Sequence, residues 1–232
     1  MEALSIPTSA LAAFPHTSIL PVPQIKPRCS FTRHSINASM RDAEALVQSG
    51  AVLSITPKDC QSLLSTGDYK ILDVRPVWEQ EKAFVAGSYH VPLFIEDQDL
   101  GLVTLLKKWI HLGYIGMWMG HKLTVQNHQF LEQVQTLVPS KEQKLLVACG
   151  EGLRSMLAID LLHTDGYTQL AWINGGFNNA RDDDFGNVQG QTKLQFATIG
   201  GVSEYFLKII LLARGFATAL EGLGSSKQNE SI

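Results

Sequence analysis

The feature that most constrains this chain is a short apolar run that ends in a glycine-rich turn and passes at once into helical spacing. Lys144 to Ala148 is apolar after its lysine and too short for a helix, the pattern of a strand buried on both faces. Beyond the turn, Arg154 to Thr164 has helical spacing and offers Met156, Leu157, Ile159 and Leu161 to a core. The same alternation recurs. Ala51 to Ile55 reads as a strand. Pro57 to Leu64 reads as a helix, with Thr56 as cap and proline at the first helical position. Tyr69 to Val74 is a strand with Asp73 at its C-terminal end, followed by a short helix over Val77 to Lys82. Ser88 to Pro92 reads as an edge strand, Asn127 to Val138 as a helix ended by Pro139, and Gln169 to Ile173 as a strand. Gly175-Gly176 then turns into a further helix. Strands alternating with helices predict an α/β domain on a largely parallel sheet. A chain of 232 residues that is 45% hydrophobic can bury one such core and carry tails.

The tails differ from the core. In the first forty residues the only acid is Glu2, while Lys26, Arg28 and Arg33 are basic and Ser, Thr and Pro abound. That composition predicts an organelle transit peptide over 1–38. Pro15, Pro21, Pro23 and Pro27 oppose a long amphipathic helix, which favours a chloroplast address; the other reading is a tail of no function. From Arg41 the composition turns globular, with helical spacing over 41–50, and the main domain is expected over 42–190. Near the other end, 196–220 is apolar and long enough to span a bilayer. Glu204, Lys208 and Arg214 interrupt it, and each charge at the centre of a membrane helix costs about 2.5 to 3.5 kcal/mol. A hydrophobic C-terminal helix is expected there, either attached to a membrane or packed on the domain. Residues 94–125 are apolar, aromatic and punctuated by glycine. They are expected to form a helix over Leu100 to Ile110 and then a loop, serving as core or as a lid over the site, with a membrane-facing patch as the minor reading.

Several function classes lack support. Net charge is −3, without a basic field for nucleic acid. The three cysteines form neither a disulfide framework nor a zinc pattern, and the seven histidines are scattered. Neither metal nor cofactor is expected.

Cys149 is the residue that carries chemistry. It ends a parallel strand, where α/β folds open onto a ligand crevice. Gly150 and Gly152 let the backbone curl so that N–H groups point inward, and the next helix adds its N-terminus; together these make an anion cradle. A thiol in such a field ionises more readily, and the thiolate is the nucleophile. Arg154 adds a charge suited to a substrate oxyanion. Ser155 hydrogen-bonds the sulfur or caps the helix. The bland alternative, Cys149 as a small core residue, explains neither glycine nor the arginine.

Cys149-Gly150-Glu151-Gly152-Leu153-Arg154-Ser155 resembles the rhodanese pattern Cys-x-x-Gly-x-Arg-Ser. Residues 71–93, with Asp73-Val74-Arg75 leading to a Gly-x-x-x-x-Pro segment, are similar to that family's first signature, and 173–180 to its Gly-Gly-Phe turn. The resemblance covers about 52–185. It implies a three-layer α/β domain with helices on both faces of a central parallel sheet. It also implies a sulfurtransferase: Cys149 takes the outer sulfur of a small anionic donor such as thiosulfate, holds it as a persulfide, and passes it to a thiol or cyanide. The loop 150–155 would bind the donor and the persulfide. Asp73 and Arg75 would be supports beside it, and Arg154 either a substrate contact or the partner of a carboxylate such as Glu151 or Asp73. Four residues separate Cys149 from Arg154, against five in the related phosphatases, and the tighter loop suits a sulfur better than a phosphate. The competing class is a non-enzymatic binding or scaffold module at a plastid membrane. A redox-sensing thiol is a third; Cys60 is the only other cysteine past the leader.

Overall fold

The computed structural model describes residues 33–181 and 183–228. The first elements are α1 (Arg33–Gln48), β1 (Leu53–Ile55), α2 (Pro57–Ser65), β2 (Lys70–Asp73), α3 (Val77–Gln80), β3 (Ala83–Val85) and β4 (Tyr89–His90). Next come β5 (Phe94–Glu96), α4 (Leu102–His111), α5 (Met117–Met119), β6 (Thr124–Gln126) and α6 (Phe130–Leu137). The chain closes with β7 (Leu145–Ala148), α7 (Leu153–Thr164), β8 (Leu170–Ile173), β9 (Val188–Gly190) and α8 (Gly201–Gln228). The central sheet has the order β1-β8-β7-β2-β4, and every pairing in it is parallel.

The apolar run that opened the argument is the middle strand. Leu145 and Val147 belong to one core, with Leu72, Val74, Phe130, Val134 and the inner side of α7. Leu146 and Ala148 belong to the other, with Ile71, Ala171, Ile173, Cys60 and Phe177. Side chains alternate across a strand, so a strand apolar at every position needs cover on both faces, and both faces have it. The α/β three-layer expectation is met. Ser88 to Pro92 also does what its brevity predicts: β4 is an edge of the sheet, paired with β2.

Two antiparallel pairs lie outside the central sheet: β3 with β9, and β5 with β6. The second is the base of a long hairpin whose far end is α4, a π-helical turn at Leu112–Gly116, and α5. The expected loop after Ile110 is therefore helix. Gly113 and Gly116 read as breakers but are absorbed in the wide turn. The core reading of this segment is corrected as well, since α4 buries no residue.

The helix expected after Gly175-Gly176 is instead a single 3₁₀ turn, Phe177–Asn179. At the N-terminal side, α1 already includes Arg33, where helical spacing was expected only from Arg41. Ile36 and Met40 pack against the core, and Ser39 hydrogen-bonds Asp160 on α7. The expected leader up to residue 32, with Cys29, lies outside the described residues. At the C-terminal side a 3₁₀ turn at Leu194–Phe196 precedes α8, which starts at Gly201 rather than 196. Among the described residues no helix is long and apolar enough to cross a membrane.

Candidate active site

Three chain segments meet where the central strands end. The register sets Asp73 beside Ala148, so the residues after β2 and those after β7 emerge together, and the turn after β8 emerges next to them.

The turn after β7 wraps one sulfur. Cys149 Sγ accepts the N–H of Gly152 at 3.0 Å and that of Ser155 at 3.4 Å. The Ser155 hydroxyl lies 3.5 Å from Sγ and donates to the Gly152 carbonyl at 2.8 Å. Trp172, on β8, brings its indole N–H to Gly152 O at 3.1 Å and to Ser155 Oγ at 3.2 Å. The Ser155 hydroxyl is thus a rotor with an alternative donor behind it: when it turns to an anionic sulfur, Trp172 still satisfies the carbonyl. Ser155 is not the helix cap. That place belongs to Gly152, whose φ of 97° lies in the left-handed region that favours glycine.

The Gly-Gly-Phe turn holds the loop from behind. Phe177 N–H donates to Cys149 O at 2.8 Å, and Asn178 N–H to Gly150 O at 2.8 Å. With both carbonyls drawn backwards, the loop's N–H groups are left to face the sulfur. Gly176 makes this approach feasible: at φ 60°, ψ −160° it occupies a glycine region, and a Cβ there would collide with the Cys149 carbonyl oxygen.

Asp73 and Arg75 are both buried and form a clasp. Asp73 accepts the Arg75 backbone N–H at 3.0 Å, Nε at 3.0 Å and Nη2 at 2.6 Å. Nη2 also donates to Ala83 O at 2.8 Å. The guanidinium lies 4.6 Å from the ring centroid of Phe177, so the first signature stacks on the Gly-Gly-Phe turn that holds the cysteine loop. Nη1 has no hydrogen-bond partner, and the ring face compensates part of its charge. Neither residue lines the cavity around Cys149.

Arg154 is held by a carboxylate other than the two proposed. Its Nη1 and Nη2 donate to the two oxygens of Glu79, both at 2.7 Å. Asp73 is engaged with Arg75, and Glu151 is exposed at the rim. Burial works against the guanidinium charge; the hydrogen bonds and charge of Glu79, with the neighbouring Cys149 sulfur, outweigh it and raise its pKa. Glu79 offered only the signal of one of two acids, with Glu81, on the short helix expected after the Asp-Val-Arg strand end.

The cavity over this loop measures about 320 Å³. Cys149, Glu151, Leu153 and Arg154 line it from the loop, and Pro76, Trp78 and Glu79 from α3 and its approach. Phe94, His121, Lys122 and Thr124 come from the base of the hairpin, and Thr198 from the approach to α8. Only the base of the hairpin borders the cavity, so the lid reading holds for those four residues and fails for the aromatic middle. Thr198 roofs the loop: its methyl occupies the space where a Gly150 Cβ would stand, and its hydroxyl donates to Asn178 Oδ1 at 3.1 Å. Lys122 pairs with Glu96 at 2.7 Å and lies 5.1 Å from the ring centroid of Trp78. Cys149 itself shows no exposed surface. Cys60 is distant in role: burial, then the charges of Asp184 and Asp59, push its thiol up from 9.0 to about 12, so it stays protonated at neutral pH.

Residues 56–183 match the model of the rhodanese-like domain. The chain is 53% identical over 171 residues to rhodanese-like domain-containing protein 10 of Arabidopsis thaliana, covering 74% of this chain and 80% of that one. It is 38% identical over 170 residues to rhodanese-like domain-containing protein 11, chloroplastic, of the same plant, covering 73% of this chain and 58% of that one. A third relative there, rhodanese-like domain-containing protein 9, chloroplastic, is 29% identical over 173 residues, 75% of this chain and 73% of that one. A cysteine loop on the middle strand, an Asp-Val-Arg clasp and a Gly-Gly-Phe turn, found in one chain that matches the domain model over more than half its length, place this protein in the rhodanese-like family.

Proposed function

We propose that the chain is a sulfurtransferase that carries a sulfur atom on Cys149. The observation that supports it most is the pair of backbone N–H groups, of Gly152 and Ser155, aimed at Sγ at 3.0 and 3.4 Å. These donors are fixed by the fold and suit an anion at that atom.

In the reaction, the Cys149 thiolate attacks the outer sulfur of thiosulfate or a similar donor. A sulfur–sulfur bond to Cys149 forms, the bond within the donor breaks, and its electron pair leaves with sulfite. The persulfide on Cys149 carries the negative charge into the loop. An acceptor thiolate or cyanide then attacks the outer sulfur, and the Cys149 thiolate leaves with the electron pair. Gly152 and Ser155 hold the sulfur anions, and Trp172 keeps Gly152 O satisfied while the Ser155 hydroxyl turns. Arg154 is spoken for by Glu79, so its charge is partly matched before any donor arrives. Plastid localisation belongs to the same proposal, supported by the N-terminal composition and by the two relatives named chloroplastic.

A second reading rests on one observation: the sulfur has no exposed surface. On that reading the fold binds a partner and transfers nothing. Thiocyanate formation from thiosulfate and cyanide decides between them. The first reading expects turnover by the wild-type chain and background rates for Cys149→Ser. Equal background rates for both folded proteins favour the second.

A further inference from the structure

The helix α4 is mounted the wrong way round for a soluble protein. Its polar side faces the hairpin that bears it: the Thr104 hydroxyl bonds the Asp99 carboxylate, Lys108 Nζ donates to Asp99 O at 2.9 Å, and His111 Nε2 lies 3.1 Å from His121 O. Its apolar stripe, Leu102, Val103, Leu106, Trp109 and Ile110, faces outward, each residue 62–86% exposed. The start of α8 repeats the pattern. Glu204 is tied inward by Lys82 at 3.1 Å and pairs with Lys208, one turn on, at 2.9 Å, while Tyr205, Phe206, Ile209 and Ile210 are exposed. The two elements are joined. The Trp118 and Phe206 ring centroids are 6.0 Å apart, the Ser203 hydroxyl donates to Trp118 O, and Gly120 and Gly201 approach too closely for any Cβ. Exposed apolar surface of this extent marks a binding face.

We propose that this face docks the protein on an anionic lipid surface, with α4 and the first turns of α8 lying in the headgroup layer. Charge points to that occupant. The helical tip, residues 102–119, carries Lys107 and Lys108 and no acid. The carboxylates lie away from that tip and have partners: at the foot of the hairpin Glu96 pairs with Lys122, Asp97 accepts the Asp99 N–H, and Asp99 accepts the Gly101 N–H and the Thr104 hydroxyl, while Glu204 on α8 pairs with Lys82 and Lys208. Tryptophans at 109 and 118 sit among the aliphatic residues, as interfacial anchors do. α4 is ten residues long and too short to span, so lying flat is what its geometry permits. Docking would also bear on the site, because both elements are rooted at its cavity: the hairpin through Phe94, His121, Lys122 and Thr124, and α8 through Thr198.

The test is co-sedimentation of the full chain with two kinds of vesicle, phosphatidylcholine alone and phosphatidylcholine with one quarter phosphatidylglycerol. The wild-type chain is expected to pellet with the anionic vesicles, at least about fivefold more than with the neutral ones, and to be released by high salt. Leu106→Glu with Trp109→Glu should lower that binding about tenfold or more, as two apolar anchors are lost. Lys107→Glu should lower it about fivefold at low salt. If the glutamates lower the melting temperature, Leu106→Gln with Ile110→Gln reads the same face with a gentler change. Three results overturn the proposal: wild-type protein left in the supernatant with anionic vesicles, undiminished binding by the folded double variant, or a lipid-free dimer that the double variant dissolves, which makes a second copy the occupant.

Discussion

The cysteine loop and α4 are built from similar stock: each is rich in small or apolar residues, the loop with a single arginine and α4 with a pair of lysines, and the loop leads into a helix where α4 is one. They are opposites in what surrounds them. In the loop, the sulfur, the Cys149 and Gly150 carbonyls and the arginine each have an assigned partner: Ser155 within the loop, and Phe177, Asn178 and Glu79 from elsewhere in the chain. On α4, Thr104, Lys108 and His111 have partners, while the outward apolar residues are exposed. The first region is complete in itself and holds a single atom in place. The second is complete only with something outside the molecule. The difference teaches that the proposed chemistry and the proposed attachment fall to separate parts of one fold, the first to the ends of buried strands and the second to a long insertion between them.

That contrast can be broken most sharply at the clasp. Asp73→Asn leaves the Arg75 guanidinium in the core without its counter-charge, and removing one partner of a buried pair costs about 3–5 kcal/mol. Denaturant titration should show that loss, while the folded fraction keeps sulfur transfer; a stable Asn variant with no transfer would make Asp73 a participant in the chemistry. Gly176→Ala comes next. A side chain at that backbone conformation costs about 1–3 kcal/mol, and the collision with Cys149 O should tilt the loop and reduce turnover far more than stability. Unchanged turnover would show that the Gly-Gly-Phe turn does not position the sulfur.

Glu79→Gln is smaller and more informative about the site. It weakens the bidentate pair by about 2 kcal/mol and frees the charge of Arg154 toward the cavity. The KM for an anionic donor should fall while stability drops. A rise in KM would mean that Glu79 shapes the donor site directly. The smallest effect belongs to the other region. Leu106→Gln, on the outward side of α4, should change stability by no more than about 0.5 kcal/mol in lipid-free solution. A loss comparable to a core substitution would show that the face is already covered within the protein.

How far the sequence alone carried these two regions follows the same divide. The strand, glycines, Cys149 and Arg154 are neighbours in the chain, and their chemistry is set by local spacing, so the loop could be read directly; so could the alternation that makes the sheet parallel. Glu79, Trp172 and Thr198 could not, because each reaches the loop from a different element and only the fold brings them there. A carboxylate partner for Arg154 was one of two open readings, and Glu79 was missing from its examples, Glu151 and Asp73, for that reason. In α4 the apolar stripe is plain in the sequence, and periodicity tells that a helix has two sides. It does not tell which side faces the protein; that is decided by where β5 and β6 set the hairpin. The start of α1 was hidden differently. Ser, Asn and Arg near residues 33–40 have the composition of a leader, and only the contacts of Ile36 and Ser39 show them in the domain.

The central claim is that Cys149 carries a sulfur atom, and intact mass spectrometry tests it most directly. The full-length protein is incubated with thiosulfate, freed of small molecules, and weighed beside Cys149→Ser treated alike. A gain of one sulfur atom on the wild-type chain alone, removed by cyanide, is the predicted result. No gain on a wild-type chain shown to be folded, or an equal gain on Cys149→Ser, contradicts it.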